Sequence, residues 1–395
     1  MPAVPPDPRR PSDVPPWPDV PSAPVVPHRR MSRAKIWAVG TFTAVVVIGL
    51  ATVAWGLSQT AGRSAAGLSI SGDGIPSASD PSAMPSGSAS AGPGASASAS
   101  ARPSRSPSAT SSPRRTSGPV VIGPPVGGPW PNPSNTGIPA GTKLSTYTGS
   151  CTITAANTVI DAKTVNCNTL SIKAANVTIK RSKINGGVNL DTDISGSRNW
   201  SYTLVDSEVN AGLRQLPAVS YGNMTIRRSN ISGGQTSVQC GEHAVSCTIE
   251  DSYLHGQRIP DNTNWHLGGF LSNGGHTIRI RHNTIICDAP VNNRGEGCTG
   301  DLNLFGDFAV ISDVVVDSNF LGANTGSSYC LYGGSALSKP YPRADHVVIT
   351  NNVFQRGTNR KCGAYGPVSS FDRNGVGNVW SNNKWDDGAA VGGEM

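Results

Sequence analysis

The sequence predicts an all-β solenoid, and three observations carry the prediction. From about residue 176 to 385 one phrase recurs eight times: an apolar strand, two polar residues, Ser or Asn, one more polar residue, then another apolar one, as in Ile179-Lys180-Arg181-Ser182-Lys183-Ile184. The Ser/Asn column falls at Ser182, Ser207, Ser229, Ser252, Asn283, Asn319, Asn352 and Asn383, spaced 25, 22, 23, 31, 36, 33 and 31 residues apart. A period of this size means stacked repeats. Within the phrase, Val177-Thr178-Ile179 alternates with period two, as a half-buried strand does. Coils of roughly 22 residues, with short strands and a two-residue corner, have the size of a right-handed parallel β-helix of about 9–10 coils. The Ser or Asn is expected to bend the chain and to form a ladder inside the stack, flanked by apolar rows that no single coil could bury alone.

The segments before the array differ in kind. Residues 1–35 are Pro-rich and polar without periodicity, and are expected to be a disordered cytoplasmic tail. Residues 36–57 contain no charge, and at 1.5 Å per residue such a run spans roughly the 30 Å of a bilayer core. A single transmembrane helix is expected over a cleaved leader, because the run is long, starts well inside the chain and has no A-x-A site close behind it. Arg29, Arg30, Arg33 and Lys35 precede it, so the N-terminus is expected inside and the rest outside the cell. Residues 58–131, rich in Ser, Ala, Gly and Pro, read as a flexible tether, and 132–395 as the solenoid domain.

The net charge of +7 lies mostly outside that domain. Six basic and three acidic residues sit in 1–35, and five and two in the tether. Of 32 basic and 25 acidic residues in all, the domain keeps 21 and 20. A charge near +1 gives no reason to expect a nucleic-acid partner.

All eight cysteines lie in the domain, and their even number, on what reads as the outer side, argues for disulfides. Stacking favours sequential neighbours. Cys330 and Cys362 are one coil apart; Cys240 with Cys247 and Cys287 with Cys298 would each close a loop, and Cys151 with Cys167 would brace the first coil. A shorter duplication, Ile153-Thr154-Ala155-Ala156-Asn157 against Ile172-Lys173-Ala174-Ala175-Asn176, places the first coil near Thr152. Residues 130–150 would then cap its open end.

With its short strands, Ser/Asn corners and coil-sized period, the stretch from about 140 to 390 resembles the pectate-lyase-like superfamily of parallel β-helices. It also resembles actinobacterial secreted proteins described as right-handed β-helix repeat proteins. The later coils carry about ten extra residues, and insertions in a solenoid collect at the binding face. The first strands of those coils are expected near 237–240, 266–271, 301–305, 329–332 and 362–365. The resemblance implies a substrate groove along that sheet, containing Gln239, His266, Asp301, Asn303 and Tyr329, with Arg258, Arg294, Glu296 and Asp307 on loops beside it.

The expected ligand is a polysaccharide or cell-wall glycan. Lyase or epimerase chemistry on a uronate needs charge neutralisation, a base and a route for the leaving group. His266, Asp301 and Arg294 are the candidate catalytic residues, and Gln239, Asn303, Tyr329 and Arg258 the candidate binding residues. His266-Leu267-Gly268-Gly269-Phe270-Leu271 resembles a His-x-Asp-Gly-x-Gln phrase of related β-helices but has Gly268 at the acid and Leu271 at the Gln position. That departure favours the alternative, a non-catalytic surface module that binds glycan or acts as a spacer. Calcium, common in the superfamily, wants clustered carboxylates, and zinc wants three or four converging donors. The local sequence shows neither, so no cofactor is expected. His276, His282 and His346 read as turn or surface residues, and Asp386-Asp387 as a solvated end.

Overall fold

The computed structural model describes Gly123 and residues 128–393. The tail, the apolar run and almost all of the tether lie outside these residues. Among the described residues no helix is long and apolar enough to cross a membrane.

The described chain is an all-β parallel stack. Its strands form three sheets, and every strand pairs in parallel with the strand three elements later. Sheet I runs in ten strands from Ser145–Thr146 to Lys384–Trp385. Sheet II runs in nine from Thr152–Ile153 to Gly366–Ser369, and sheet III in nine from Val159–Asp161 to Val379–Ser381. Each coil therefore visits sheets II, III and I once before the next is laid on top, the arrangement of a parallel β-helix.

Registration of the copies builds the core. On sheet III, Ile179, Leu204, Ile226, Ile249, Ile280, Val316 and Ile349 stand in one column. Val165, Ile184, Val209, Ile231, Leu254, Ile285, Leu321 and Phe354 do the same on sheet I. Leu170, Val188, Val219, Val238, Phe270, Leu302, Leu331 and Val368 complete the set on sheet II. All belong to one buried cluster, and each such side chain contributes about 1.5–3 kcal/mol by leaving water.

The corner between sheets III and I divides labour between two residues. Arg181, Asp206, Arg228, Asp251, His282, Ser318, Asn351 and Asn382, with φ between 44° and 59°, make the turn. The Ser or Asn that follows does not bend the chain, as the sequence suggested. It points inward and carries the ladder: the backbone N–H of Ser182 donates to Ser207 Oγ at 3.1 Å, Ser252 to Asn283 Oδ1 at 2.9 Å, and Asn352 to Asn383 Oδ1 at 3.0 Å. Left-handed geometry costs a non-glycine residue roughly 1–2 kcal/mol, and the buried hydrogen bond in every coil offsets it.

The four sequential disulfides are present, with Cα separations of 5.7 to 6.4 Å. Only Cys151 is exposed. The other seven cysteines are at most 5% exposed, so the bridges lie within the wall of the coil and not on its outer side as expected.

Of the expected cap at 130–150, Ser145–Thr146 lies on the open edge of the first coil, paired with Lys163–Thr164, and Tyr147 packs on its core; Gly123 and residues 128–142 instead lie along sheet I, as a strap that runs against the direction of stacking. Gly123 is held by the Gln355 side chain, whose Oε1 accepts its N–H at 3.0 Å and whose Nε2 donates to its carbonyl at 3.2 Å. Trp130 stacks on His282 at 5.6 Å and covers Phe320 at 5.8 Å. The Gly137 N–H donates to the Arg228 carbonyl at 2.9 Å, and the chain then enters Ser145–Thr146. Trp130, Phe320 and the corner imidazole thus make a small apolar contact outside the main core. At the far end the chain closes itself, with Trp380, Trp385 and Val391 packed on the last coils.

Candidate functional site

The extra residues of the later coils flank sheet II. Segments 256–266, 287–297, 322–328 and 355–365 wall it on the side of sheet I, and 305–311, 334–344 and 370–378 on the side of sheet III. Four of the five expected groove strands are observed, at Thr236–Cys240, Leu267–Ser272, Cys298–Leu304 and Tyr329–Gly333. The fifth is Gly366–Ser369, and residues 362–365 belong to the preceding loop.

Register brings Gln239, Leu271, Asn303 and Tyr332 into one column. Gln239 is half-buried and Asn303 buried, its amide donating to the carbonyls of Phe270 and Gly300 at 3.2 and 3.0 Å. That amide lies over Gly268, where a Cβ would collide with it. Asn303 therefore fills the space that an acid at position 268 would need.

Tyr329, Tyr332, Phe305 and Tyr365 make a continuous aromatic strip. Ring centroids are 5.0 Å apart for Phe305 and Tyr332, 5.5 Å for Tyr329 and Tyr332, and 5.8 Å for Tyr329 and Tyr365. Tyr365 is 71% exposed. The Lys339 ammonium sits 4.8 Å from the Phe305 ring and pairs with Asp307 at 2.8 Å. Burial raises the Tyr332 phenol above its ordinary range, so it stays a neutral hydroxyl at physiological pH.

The expected catalytic residues do not converge. His266 is exposed at the rim, its carbonyl accepting from Gln235 Nε2 at 2.9 Å. Arg294 and Arg258 are exposed on two different loops. Asp301 is on its strand but not in a groove: it is fully buried, and Oδ1 accepts the Cys287 N–H at 2.7 Å. Burial lifts its carboxyl well above the usual carboxylate range. Its oxygens lie near Cys330 and Cys362, whose sulfurs are bonded to each other and unavailable to a metal. Asp386 and Asp387 close the last coil; Asp387 pairs with Arg356 at 2.5 Å beside a shallow cavity of about 330 Å³ lined by Gln355, Gly357 and Arg360.

A second constellation, missed in the sequence, occupies the turns from sheet II to sheet III in three consecutive coils. The lower turn carries Asp191, Thr192 and Asp193, the middle one Tyr221 and Gly222, and the upper one Gly241, Glu242 and His243. The middle turn is short, and a Cβ at Gly222 would collide with Ala244 and approach Thr192. The outer turns therefore close over it, and His243 Nδ1 lies 2.8 Å from Asp193 Oδ1 and 4.0 Å from Glu242 Oε1. Asn223, 6% exposed, ties both together: its Nδ2 donates to the Ser197 carbonyl at 2.9 Å and its Oδ1 accepts the Val245 N–H at 2.7 Å. The signal was the repeat itself, since Asp193 follows its ladder residue Ser182 by 11 positions and Glu242 follows Ser229 by 13.

Comparison with known proteins gives no assignment: no family model, no curated protein and no solved structure matches the chain.

Proposed function

We propose that this is a surface glycan-recognition protein, a right-handed β-helix of the pectate-lyase-like kind held outside the cell by residues 36–57 and the tether that follows. The aromatic strip on sheet II carries the reading. Tyrosine rings offer a flat apolar face to the C–H faces of sugar rings and a hydroxyl to their edges. Here Tyr329 and Tyr332 lie on the sheet, the flanking walls add Phe305 and Tyr365 in ring contact with them, and Gln239 stands in the Tyr332 column. Four disulfides and no free cysteine among the described residues fit an oxidising compartment. Recognition is favoured over turnover at this strip because its one strand carboxyl, Asp301, is turned into the interior.

The test is a glycan array probed with the full-length chain, followed by a search for unsaturated or shortened products from every ligand that binds. Binding without product is the expected result. Product formation would replace recognition with catalysis, and no binding by any glycan would remove the reading.

A further inference from the structure

We propose that the aromatic strip takes an uncharged glycan, laid across the coils, with one end of the bound segment held by the Lys339–Asp307 pair. The inference rests on the glycan reading above and adds to it the charge class, the direction and the length of the ligand.

Register sets the direction. Tyr329 and Tyr332 lie on one strand, Tyr329–Gly333. Leu304 pairs with Gly333, so Phe305 stands one coil below and just past the end of that strand; Tyr329 pairs with Gly366, so Tyr365 stands one coil above and just before its start. From Phe305 to Tyr365 the strip therefore covers about six residues of strand, or about 20 Å, but only two steps of stacking, or about 10 Å. The line of rings runs nearer to the strands than to the coil axis, from the wall on the side of sheet III to the wall on the side of sheet I. A sugar chain stacked on it crosses the solenoid instead of following the groove from coil to coil.

The walls also set the length. Successive ring centroids are 5.0, 5.5 and 5.8 Å apart, within the usual spacing of stacked rings, so the strip offers places for about three or four sugar units. At one end Tyr365 is 71% exposed on the rim, where a longer chain can leave. At the other the Lys339 ammonium lies 4.8 Å from the centre of the Phe305 ring and closes the row.

Charge selects the class of sugar. Among the described residues Lys339 is the only cation seated on a ring of the strip, and its Nζ donates to Asp307 Oδ1 at 2.8 Å. The groups that act on the Tyr332 hydroxyl are Ser328, Tyr329 and Tyr365, none of them cationic. A uronate carboxylate brought onto these rings would lose hydration with its one neighbouring cation already neutralised, which is costly. A neutral sugar meets no such cost.

The ion pair suits the hydroxyls of such a sugar. An ammonium carries three donors and a carboxylate about four acceptor positions, and the single bond between Lys339 and Asp307 leaves most of both for a ligand. The two side chains are 18% and 25% exposed. Their backbones are fixed beforehand: the Asp307 N–H donates to the Asn273 carbonyl and the Lys339 N–H to the Ala336 carbonyl, both at 3.0 Å, and the Tyr341 N–H ties the two loops together through the Gly306 carbonyl at 2.9 Å. Preorganisation of this kind lowers the ordering cost of binding.

The experiment is calorimetric titration of the full-length protein with fragments of cellulose, mannan, xylan and chitin, two to eight sugar units long, and with polygalacturonate and alginate fragments of the same lengths. At least one neutral series is expected to bind, with an affinity that rises up to about four units, stays level beyond, and changes by at most about threefold over a tenfold rise in salt. No uronate series should bind as tightly. Lys339→Met and Asp307→Asn should each weaken binding about tenfold with cooperative melting retained, and Lys339→Arg, which keeps the charge, should stay within about threefold of the parent. A uronate series that binds more tightly than every neutral one would overturn the inference and leave the glycan reading standing. So would an affinity that goes on rising to eight units, or full affinity in Lys339→Met and Asp307→Asn alike. No binding by any fragment of either kind would remove the reading and the inference together.

Discussion

Asn319 gives both its backbone N–H and its side-chain Nδ2–H to one oxygen, Oδ1 of Asn352, at 2.9 and 3.0 Å. Its own Oδ1 receives the same pair from Asn283, at 2.9 and 3.0 Å, and all three residues are fully buried. The asparagine half of the ladder is therefore a chain in which every member satisfies the next. Asn319→Ala would strand two donors of Asn283 and leave a void. At about 1–3 kcal/mol per orphaned group, a loss of about 3–5 kcal/mol is expected. Asn319→Ser should recover part of it, since Ser207, Ser229 and Ser252 accept the backbone N–H in the earlier coils. Urea unfolding reads this directly as a lower midpoint at unchanged slope; an alanine variant within 1 kcal/mol of the parent would contradict it.

Asp301 gives the domain a pH dependence of uncommon sign. Its native pKa is raised by burial, so the folded state keeps a proton that the unfolded chain releases above about pH 4. The unfolded state then binds fewer protons. This residue's contribution is present below that pH and is lost, at about 1.4 kcal/mol per unit, as pH rises toward the native pKa. Asp301→Asn retains the acceptor for the Cys287 N–H and cannot ionise. Melting curves should coincide near pH 4 and separate in favour of the variant toward pH 8. Parallel curves across that range would mean that Asp301 does not titrate on unfolding.

The same residue marks where the sequence stops being readable. The Ser/Asn column, the alternating strands and the disulfide partners are properties of one repeat, and a repeat writes its neighbours into its own spacing. Period-two alternation placed Asp301 outward with Asn303. The structure breaks the alternation just there, with a register shift at Leu267/Gly268 opposite Cys298 and Gly300. The glycines at 268, 269 and 300 were the available sign of an irregular strand. The inward side chain and the Asn303 amide lying over Gly268 depend on packing between coils, which no single copy encodes. The Asp193, Glu242 and His243 cluster has the same origin, since it exists only because the short turn at Gly222 lets its two neighbours meet.

Trp130 should act as the clasp of the strap. Its ring is half-buried against His282 and Phe320; on either side the Gln355 side chain holds Gly123 and the Arg228 carbonyl holds Gly137. Trp130→Ala would uncover Phe320 and free the segment between those two anchors, with an expected cost of about 2–3 kcal/mol. Limited proteolysis followed by mass spectrometry should then show cleavage between 128 and 142 that the parent resists, while the coils stay intact. Equal resistance in both would mean that the glycine contacts alone retain the strap.

Tyr365 separates recognition from stability within the aromatic strip. At 71% exposed, with its ring tilted at 46° to that of Tyr329, it contributes little to the folded state. Tyr332, half-buried between Phe305 and Tyr329, contributes to both. If the strip binds a glycan, Tyr365→Ala should weaken that binding about tenfold, the 1.4 kcal/mol expected of one well-placed ring, and leave the melting temperature within about 1 °C of the parent. Tyr332→Ala should lower both. Tyr365→Phe, which keeps the ring and loses the hydroxyl, divides the effect between stacking and hydrogen bonding: nearly full affinity assigns it to the ring face. Glycan binding that survives Tyr365→Ala and Tyr332→Ala together would place the recognition surface elsewhere on the solenoid.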